Sequence, residues 1–330
     1  MKTFIKIILV LVILVVLLFI ISLFLPRKIR VERAMLIKAP VHVVFNQIND
    51  VRNWENWSPW HQIDTAMEIT YFGNKHGEGS GYEWRSSNPQ VGNGKLTITA
   101  SVLFDSIATE MDFMEQGTAS AYYLFDETDS GTNVIWGFET DMGSNPIARY
   151  MGLMMDKMIG NDYEKGLSQL SEVCMSLPEY EIKEVDLEEI NYLGLKTKCP
   201  TGMIGEKMGQ LFGELMSFTQ QTGTEVKKAP ICVYYSYNDK ETEFEVGLPV
   251  DSIPELSGNI KGQKIKAGKY IKTTHYGPYD GLPKAYAALQ EWLSVNNKSM
   301  AGYPWEKYVT DPQMEPDPRK WITKIYFPVQ

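Results

Sequence analysis

Two glutamates offer the chemistry that this sequence most plainly holds. Glu306 stands in Trp305-Glu306-Lys307-Tyr308, and Glu245 in Phe244-Glu245-Val246. Rings gather in the same last part of the chain: Tyr270, Tyr276, Tyr279, Trp292 and Trp305. A carboxylate among apolar rings must be paired, hydrogen-bonded or protonated, because an isolated buried charge is costly. A cationic or amine-bearing apolar ligand supplies the pair, and each ring adds a π-face worth about 0.5–2 kcal/mol toward a cation. The same setting raises a glutamate pKa into a range that suits acid–base work. Strand alternation turns Glu245 away from Phe244 and Val246. The competing reading makes both glutamates exposed strand residues facing water. His275, at a strand end, is either a ligand-orienting group or structural.

The elements that hold these residues repeat. One half reads as a strand over 190–198, a helix over 204–221 and strands over 231–237 and 242–250. The other reads as a strand over 269–275, a helix over 282–295 and strands over 305–310 and 321–329. Leu282, Tyr286, Leu289 and Leu293 set the helical spacing, and Gly277-Pro278 marks the turn before them. Each half ends in Pro-Val, at Pro249-Val250 and Pro328-Val329. Two βαββ units form one antiparallel sheet backed by two helices, with a groove along the pseudo-twofold axis.

The pieces GKY, THYGPYDGLPKAYAALQEWL, WEKYVTDP and TKIYFPV, in that order, resemble the GyrI-like bacterial effector-binding domain family over about 180–330. Such domains occur behind DNA-binding helices in drug-sensing regulators, and also alone. The resemblance implies that Glu306 is the family's ligand-binding acid, with Tyr308 beside it. Some relatives use a Glu and a Tyr to hydrolyse reactive small molecules, and this is the source of an enzymatic alternative.

Upstream, residues 30–38 alternate as a strand, Ala39-Pro40 breaks it, and Val41, Val44, Phe45 and Ile48 fit a short amphipathic helix. Trp54, Trp57 and Trp60 follow closely. Glycine-punctuated strands are expected over 67–72, 79–85, 94–103, 107–114, 119–126 and 132–140, then one long helix over 146–176. IKAPVHVVFNQINDVRNWENWSPW, GYEW, GTNVIWGF and the long helix resemble the helix-grip fold of the SRPBCC family, which includes START-like lipid carriers and polyketide-cyclase-like proteins. The resemblance implies a cavity between sheet and helix. Met151, Met154, Met155 and Met158 are expected on the helix face, lining that cavity or filling a core. Trp54, Trp57, Trp60 and Trp84 either rim its mouth or form a packed corner. Gly77-Glu-Gly79-Ser-Gly81 precedes a strand rather than a helix and reads as a hairpin turn, not a phosphate loop.

The remaining features bound the class. Residues 7–26 carry no charge, and Ser22 is their one polar side chain, so this run is long enough to cross a bilayer. No small-x-small cleavage site follows it, which favours a retained anchor over a signal peptide. Arg27, Lys28, Arg30 and Arg33 outnumber Lys2 and Lys6, placing the C-terminal body on the cytoplasmic side. A net charge of −9, and no basic helix-turn-helix segment, argue against a nucleic-acid partner. Cys174, Cys199 and Cys232 form no C-x-x-C, and His42, His61 and His76 have no metal-ligand spacing, so no disulfide framework, metal or cofactor is expected. The expected chain is α+β: an anchor over 1–28, a helix-grip domain over 29–177 and a duplicated βαββ GyrI-like domain over 178–330. Its expected function is a membrane-anchored small-molecule-binding protein, sensing or sequestering an apolar or cationic ligand through Glu306, Tyr308, Glu245, Tyr270, Tyr276, Tyr279 and Trp292. The alternative is a hydrolase with Glu306 and Tyr308 as its acid–base pair.

Overall fold

The computed structural model describes residues 2–114 and 117–330. The chain forms two compact units, 1–179 and 180–330. In the first, helix α1 (Lys2–Phe24) includes a run over Lys6–Phe24 that is long and apolar enough to cross a membrane. The Ser22 hydroxyl donates to the Phe19 carbonyl at 2.6 Å, so its polar atom is satisfied within the helix.

Seven strands then make one antiparallel sheet in the order β1-β7-β6-β5-β4-β3-β2. They are β1 (Lys28–Ile37), β2 (Glu68–Phe72), β3 (Gly81–Arg85), β4 (Asn93–Val102), β5 (Ser106–Asp112), β6 (Thr118–Thr128) and β7 (Gly131–Asp141). Alternation buries Leu96 and Ile98 in β4 and Val134, Trp136 and Phe138 in β7. A bulge between Ile98 and Ala100 interrupts the ladder, the kind of irregularity that bends a sheet. Helices α2 (Val41–Asn49) and α3 (Pro59–Ile63) follow β1, and the glycine-rich run 77–81 leads through the β2–β3 connection into the first residue of β3, as expected for a hairpin.

The expected single helix over 146–176 is two helices, α4 (Pro146–Gly152) and α5 (Met155–Ser176). Asn145 caps α4 by accepting from the Ile147 and Ala148 amides. Helix α5 buries Tyr163, Gly166, Leu167, Leu170 and Cys174, and at 3.6 residues per turn Met154 and Met158 fall on the side away from that stripe. Met151, Met154 and Met158 are 55%, 60% and 55% exposed, which corrects the expectation that they fill a core or line the cavity between helix and sheet. Gly166 permits the close approach of α5 to the sheet: a Cβ there would lie 2.7 Å from Trp136 Cζ3 and 3.0 Å from Pro59 Cδ.

The second unit is an eight-stranded sheet in the order β12-β9-β11-β10-β14-β15-β13-β8. The expected βαββ units are present: β9 (Ile190–Pro200), α6 (Ile204–Thr222), β10 (Ile231–Tyr237) and β11 (Glu241–Pro249), then β13 (Gly268–Tyr276), α7 (Leu282–Val295), β14 (Trp305–Tyr308) and β15 (Ile322–Pro328). Two further strands, β8 (Lys183–Leu187) and β12 (Lys261–Ile265), each pair with the first strand of the other repeat. Leu211, Leu215 and Phe218 of α6 pack on Leu193, Cys232, Phe244 and Val246, and Leu289 and Leu293 of α7 pack on Ile271, Ile325 and Phe327. The opposite sheet face gathers Tyr192, Val233, Tyr270, Trp305 and Tyr326 without a helix.

Candidate functional site

Glu306 lies on the helix-bearing face of β14, opposite Cys232 of β10 and Ile325 of β15. It is 2% exposed. Three tyrosine hydroxyls reach its carboxylate. Tyr308 donates to Oε2 at 2.7 Å, Tyr286 to Oε1 at 2.8 Å and Tyr234 to Oε2 at 3.3 Å. Among the described residues no lysine, arginine or histidine forms an ion pair with it. Burial pushes the Glu306 pKa up, and the three hydroxyls pull it part of the way back. Burial beside that carboxylate also holds the Tyr308, Tyr286 and Tyr234 hydroxyls well above their ordinary range, so all three stay protonated donors. Tyr279 sits edge-on to the Tyr308 ring at 5.7 Å and against Trp321 at 4.9 Å, and it is 37% exposed. Phe212 of α6 flanks Tyr308 from the other side at 6.3 Å.

The structure brings Tyr308 and Tyr279 to Glu306 and separates the other expected residues from it. Tyr270 belongs to the helix-free face, where it meets Trp305 edge-on at 6.3 Å. Tyr276, six positions along the same strand, has the parity of Tyr270 and turns away from the face of Ile271, Thr273 and His275. Trp292 packs beside the α7 cluster with the Lys298 ammonium 5.4 Å from its ring. Trp305 precedes Glu306 on the strand and faces the other way, stacked on Tyr326 at 4.0 Å. His275 is held by Tyr180 at 3.1 Å and the Pro278 carbonyl at 2.9 Å. Tyr234 and Tyr286 are the residues that sequence reasoning missed. Tyr286 was legible only as a helical core position, and its hydroxyl end makes the difference.

Glu245 is buried as well, at 1% exposure, but on the helix-free face. Tyr235 donates to its Oε2 at 2.5 Å and Tyr192 at 3.4 Å. Gly194 makes room for it: a Cβ there would lie 2.2 Å from Glu245 Oε1. The Lys196 ammonium lies 3.7 Å over the Tyr235 ring, so a cation already stands near this carboxylate. Glu245 and Glu306 therefore belong to two separate polar clusters on opposite sides of one sheet.

The first unit holds a cavity of about 200 Å³ between sheet and helix, lined by Trp54, Trp60, Tyr82, Trp84, Tyr123 and Trp136 among others. Three of the four expected tryptophans line it. Trp57, 0% exposed, is packed instead between Trp54 and Trp136. His61 and Asp162 are polar lining groups; burial lowers the histidine pKa and raises that of the aspartate. His61 Nδ1 has no hydrogen-bond partner among the described residues. Cys174 and Cys232 are buried thiols, the former pushed up to about 12, and no group of His, Cys, Asp or Glu among the described residues is arranged to hold a metal.

Comparison with known proteins matches the chain to two families. Residues 28–174 match the model of the polyketide cyclase / dehydrase and lipid transport family, and residues 180–330 that of the GyrI-like small molecule binding domain. The chain thus carries an SRPBCC-type helix-grip domain followed by a GyrI-like domain. No curated protein matches the chain. Among solved structures, the EcmrR–DNA complex is similar at 20% identity and TM-score 0.44, over 56% of this chain and 72% of that one. A hydrolase from Listeria innocua is similar at 14% identity and TM-score 0.36, over 48% and 96%. SAV2435 bound to tetraphenylphosphonium is similar at 13% identity and TM-score 0.36, over 46% and 94%.

Proposed function

We propose that this chain is a membrane-anchored small-molecule-binding protein that senses or sequesters amphipathic or cationic ligands, with Glu306 as the counter-charge. One observation carries the reading: a carboxylate 2% exposed, ringed by tyrosines, with no cationic side chain paired to it among the described residues. A buried charge of this kind is stabilised by a partner ion, and a ligand cation is the partner that the surrounding rings favour. Tyr279, on the short turn before α7 and edge-on to Tyr308, is the partly exposed ring beside this cluster. A hydrophobic quaternary ammonium compound should bind saturably and without turnover, and far better than a neutral isostere. Equal binding of the two removes the counter-charge role.

The hydrolase alternative has one observation in its favour, the 2.7 Å bond from Tyr308 to Glu306. The raised Tyr308 pKa opposes it, since a tyrosine held that strongly protonated is a poor acid toward a leaving group. Turnover of a reactive electrophile by wild type, lost in Glu306→Gln, would support the enzyme over the binder.

The anchor reading rests on α1 and on how the folded body holds its end. Arg149 Nη1 donates to the Ser22 and Leu23 carbonyls, each at 3.1 Å, satisfying acceptors that a helix end leaves open. Four basic residues from Arg27 to Arg33 follow the span, which favours a cytoplasmic body. A C-terminal reporter should be active only in the cytoplasm; activity outside it reverses the orientation.

A further inference from the structure

Helix α4 and the start of α5 expose large apolar side chains where a folded domain normally shows polar ones. Ile147 is 73% exposed, Met151 55%, Leu153 57%, Met154 60% and Met158 55%. Folded domains seldom leave so many together uncovered without a surface to meet. Helix α4, which carries Ile147 and Met151, packs beside α1. The Tyr150 hydroxyl donates to the Leu18 carbonyl at 2.8 Å, and Arg149 holds the Ser22 and Leu23 carbonyls. Helix α4 is therefore fastened along the end of α1 from Leu18 to Leu23, a length of roughly 8 Å at ~1.5 Å per residue. That is the depth at which an interfacial amphipathic helix lies, roughly 5–10 Å into the headgroup and acyl boundary.

We propose that this face, made by Ile147, Met151, Leu153, Met154 and Met158, seats in the surface of the bilayer that α1 crosses and holds the helix-grip domain against it. The inference rests on the anchor reading above. Its occupant is lipid because the patch begins where the apolar run ends: Phe24, 84% exposed, is the last residue of α1 and belongs to the same apolar surface chemistry. Tyr150, an aromatic with its polar end on the helix backbone, suits the interface level. Arg27 and Arg30 close to it are already paired with Asp141, Glu32 and Glu139, so the contact proposed is that of the apolar side chains.

The test uses the full chain with Cys199→Ser, reconstituted into phosphatidylcholine vesicles, and a nitroxide placed by Val15→Cys, Met154→Cys, Met158→Cys or Asp129→Cys. Asp129 is an exposed turn residue at the far end of the sheet, about 30 Å from the anchor at ~3.3 Å per strand residue. Collisions with oxygen, which concentrates in lipid, are compared with those of a water-soluble nickel chelate. The oxygen-to-nickel ratio at Met154 and Met158 should rise toward that at Val15, while Asp129 reads as water. Ratios at Met154 and Met158 equal to that at Asp129, with Val15 still lipid-like, overturn the docking face and leave the anchor standing. A water-like ratio at Val15 overturns the anchor and the docking face with it.

Discussion

Both domains surround buried polar atoms with aromatic rings, and they use the rings in opposite ways. In the helix-grip domain, tryptophans and tyrosines line about 200 Å³ of largely apolar space. In the GyrI-like domain, the tyrosines turn their hydroxyls inward onto one carboxylate. The first arrangement suits an apolar guest that needs volume and asks for little polarity. The second suits a guest that brings charge, since shape alone would leave Glu306 without a counter-ion. Aromatic content is thus a poor guide to ligand class, and the direction of the polar ends is the better one.

The largest expected effect tests whether the aromatic wall of the first site is a structural core as well as a lining. Trp136 is 2% exposed, stacked on Tyr163 at 3.9 Å and edge-on to Trp57 at 5.7 Å. Trp136→Ala should destabilise that domain by about 3–5 kcal/mol, read as a lower denaturant midpoint. A loss under about 1 kcal/mol would mean that the wall is loosely packed around open space.

Next comes the charge. Glu306→Gln keeps the outline and removes the counter-ion, so affinity for a quaternary ammonium ligand should fall by about 1.5–3 kcal/mol, while a neutral isostere binds as before. Glu245→Gln, on the other face, should leave cation affinity within about twofold, well under the ~1.4 kcal/mol that a tenfold change represents. If the two substitutions weaken binding equally, the distinction between the two carboxylate clusters fails.

The raised Glu306 pKa gives the third test its sign. A buried carboxylate whose folded pKa is raised stabilises the fold in acid, below the ordinary carboxylate range, and that contribution is lost as pH rises through the raised value. Above that raised value the site bears an ionised group that burial disfavours. Each pKa unit of elevation is worth about 1.4 kcal/mol. Cation affinity should fall as pH drops through the Glu306 pKa, because a proton then competes with the ligand. In Glu306→Gln both this dependence and the matching slope of stability should flatten. An unchanged slope in the variant would place the titration elsewhere.

Much of this was legible in the sequence, and the failures have physical causes. Strand alternation put Glu245 opposite Phe244 and Val246, as observed. The same parity separates Tyr270 and Tyr276 from His275, and Trp305 from Glu306, so the mixed-face ring set could have been divided from sequence. Tyr234 could not have been found that way, because parity gives the face of a strand but not its neighbour across the sheet. The edge strands β8 and β12 read Lys-Glu-Val-Asp-Leu and Lys-Gly-Gln-Lys-Ile, with too little apolar alternation to stand out. The break before α5 hid in a run of methionines whose apolar character suits a core and a lipid surface alike.

Those methionines set the smallest expected effect. A core reading requires Met154→Ala or Met158→Ala to cost about 2–5 kcal/mol, from lost burial and the cavity left behind. Here Met154 and Met158 are 60% and 55% exposed, outside the buried stripe of Tyr163, Leu167 and Leu170, so there is little burial to lose. Each change should move stability in detergent by no more than about 0.5 kcal/mol, the range of ordinary surface substitutions. The aromatic cavity should be untouched, because neither methionine lines it. Occupancy by an apolar fluorescent probe should accordingly match wild type. A loss of several kcal/mol would return the methionines to a core. A changed probe affinity at unchanged stability would instead make them part of the first site, and the contrast between the apolar cavity and a separate exposed patch would collapse.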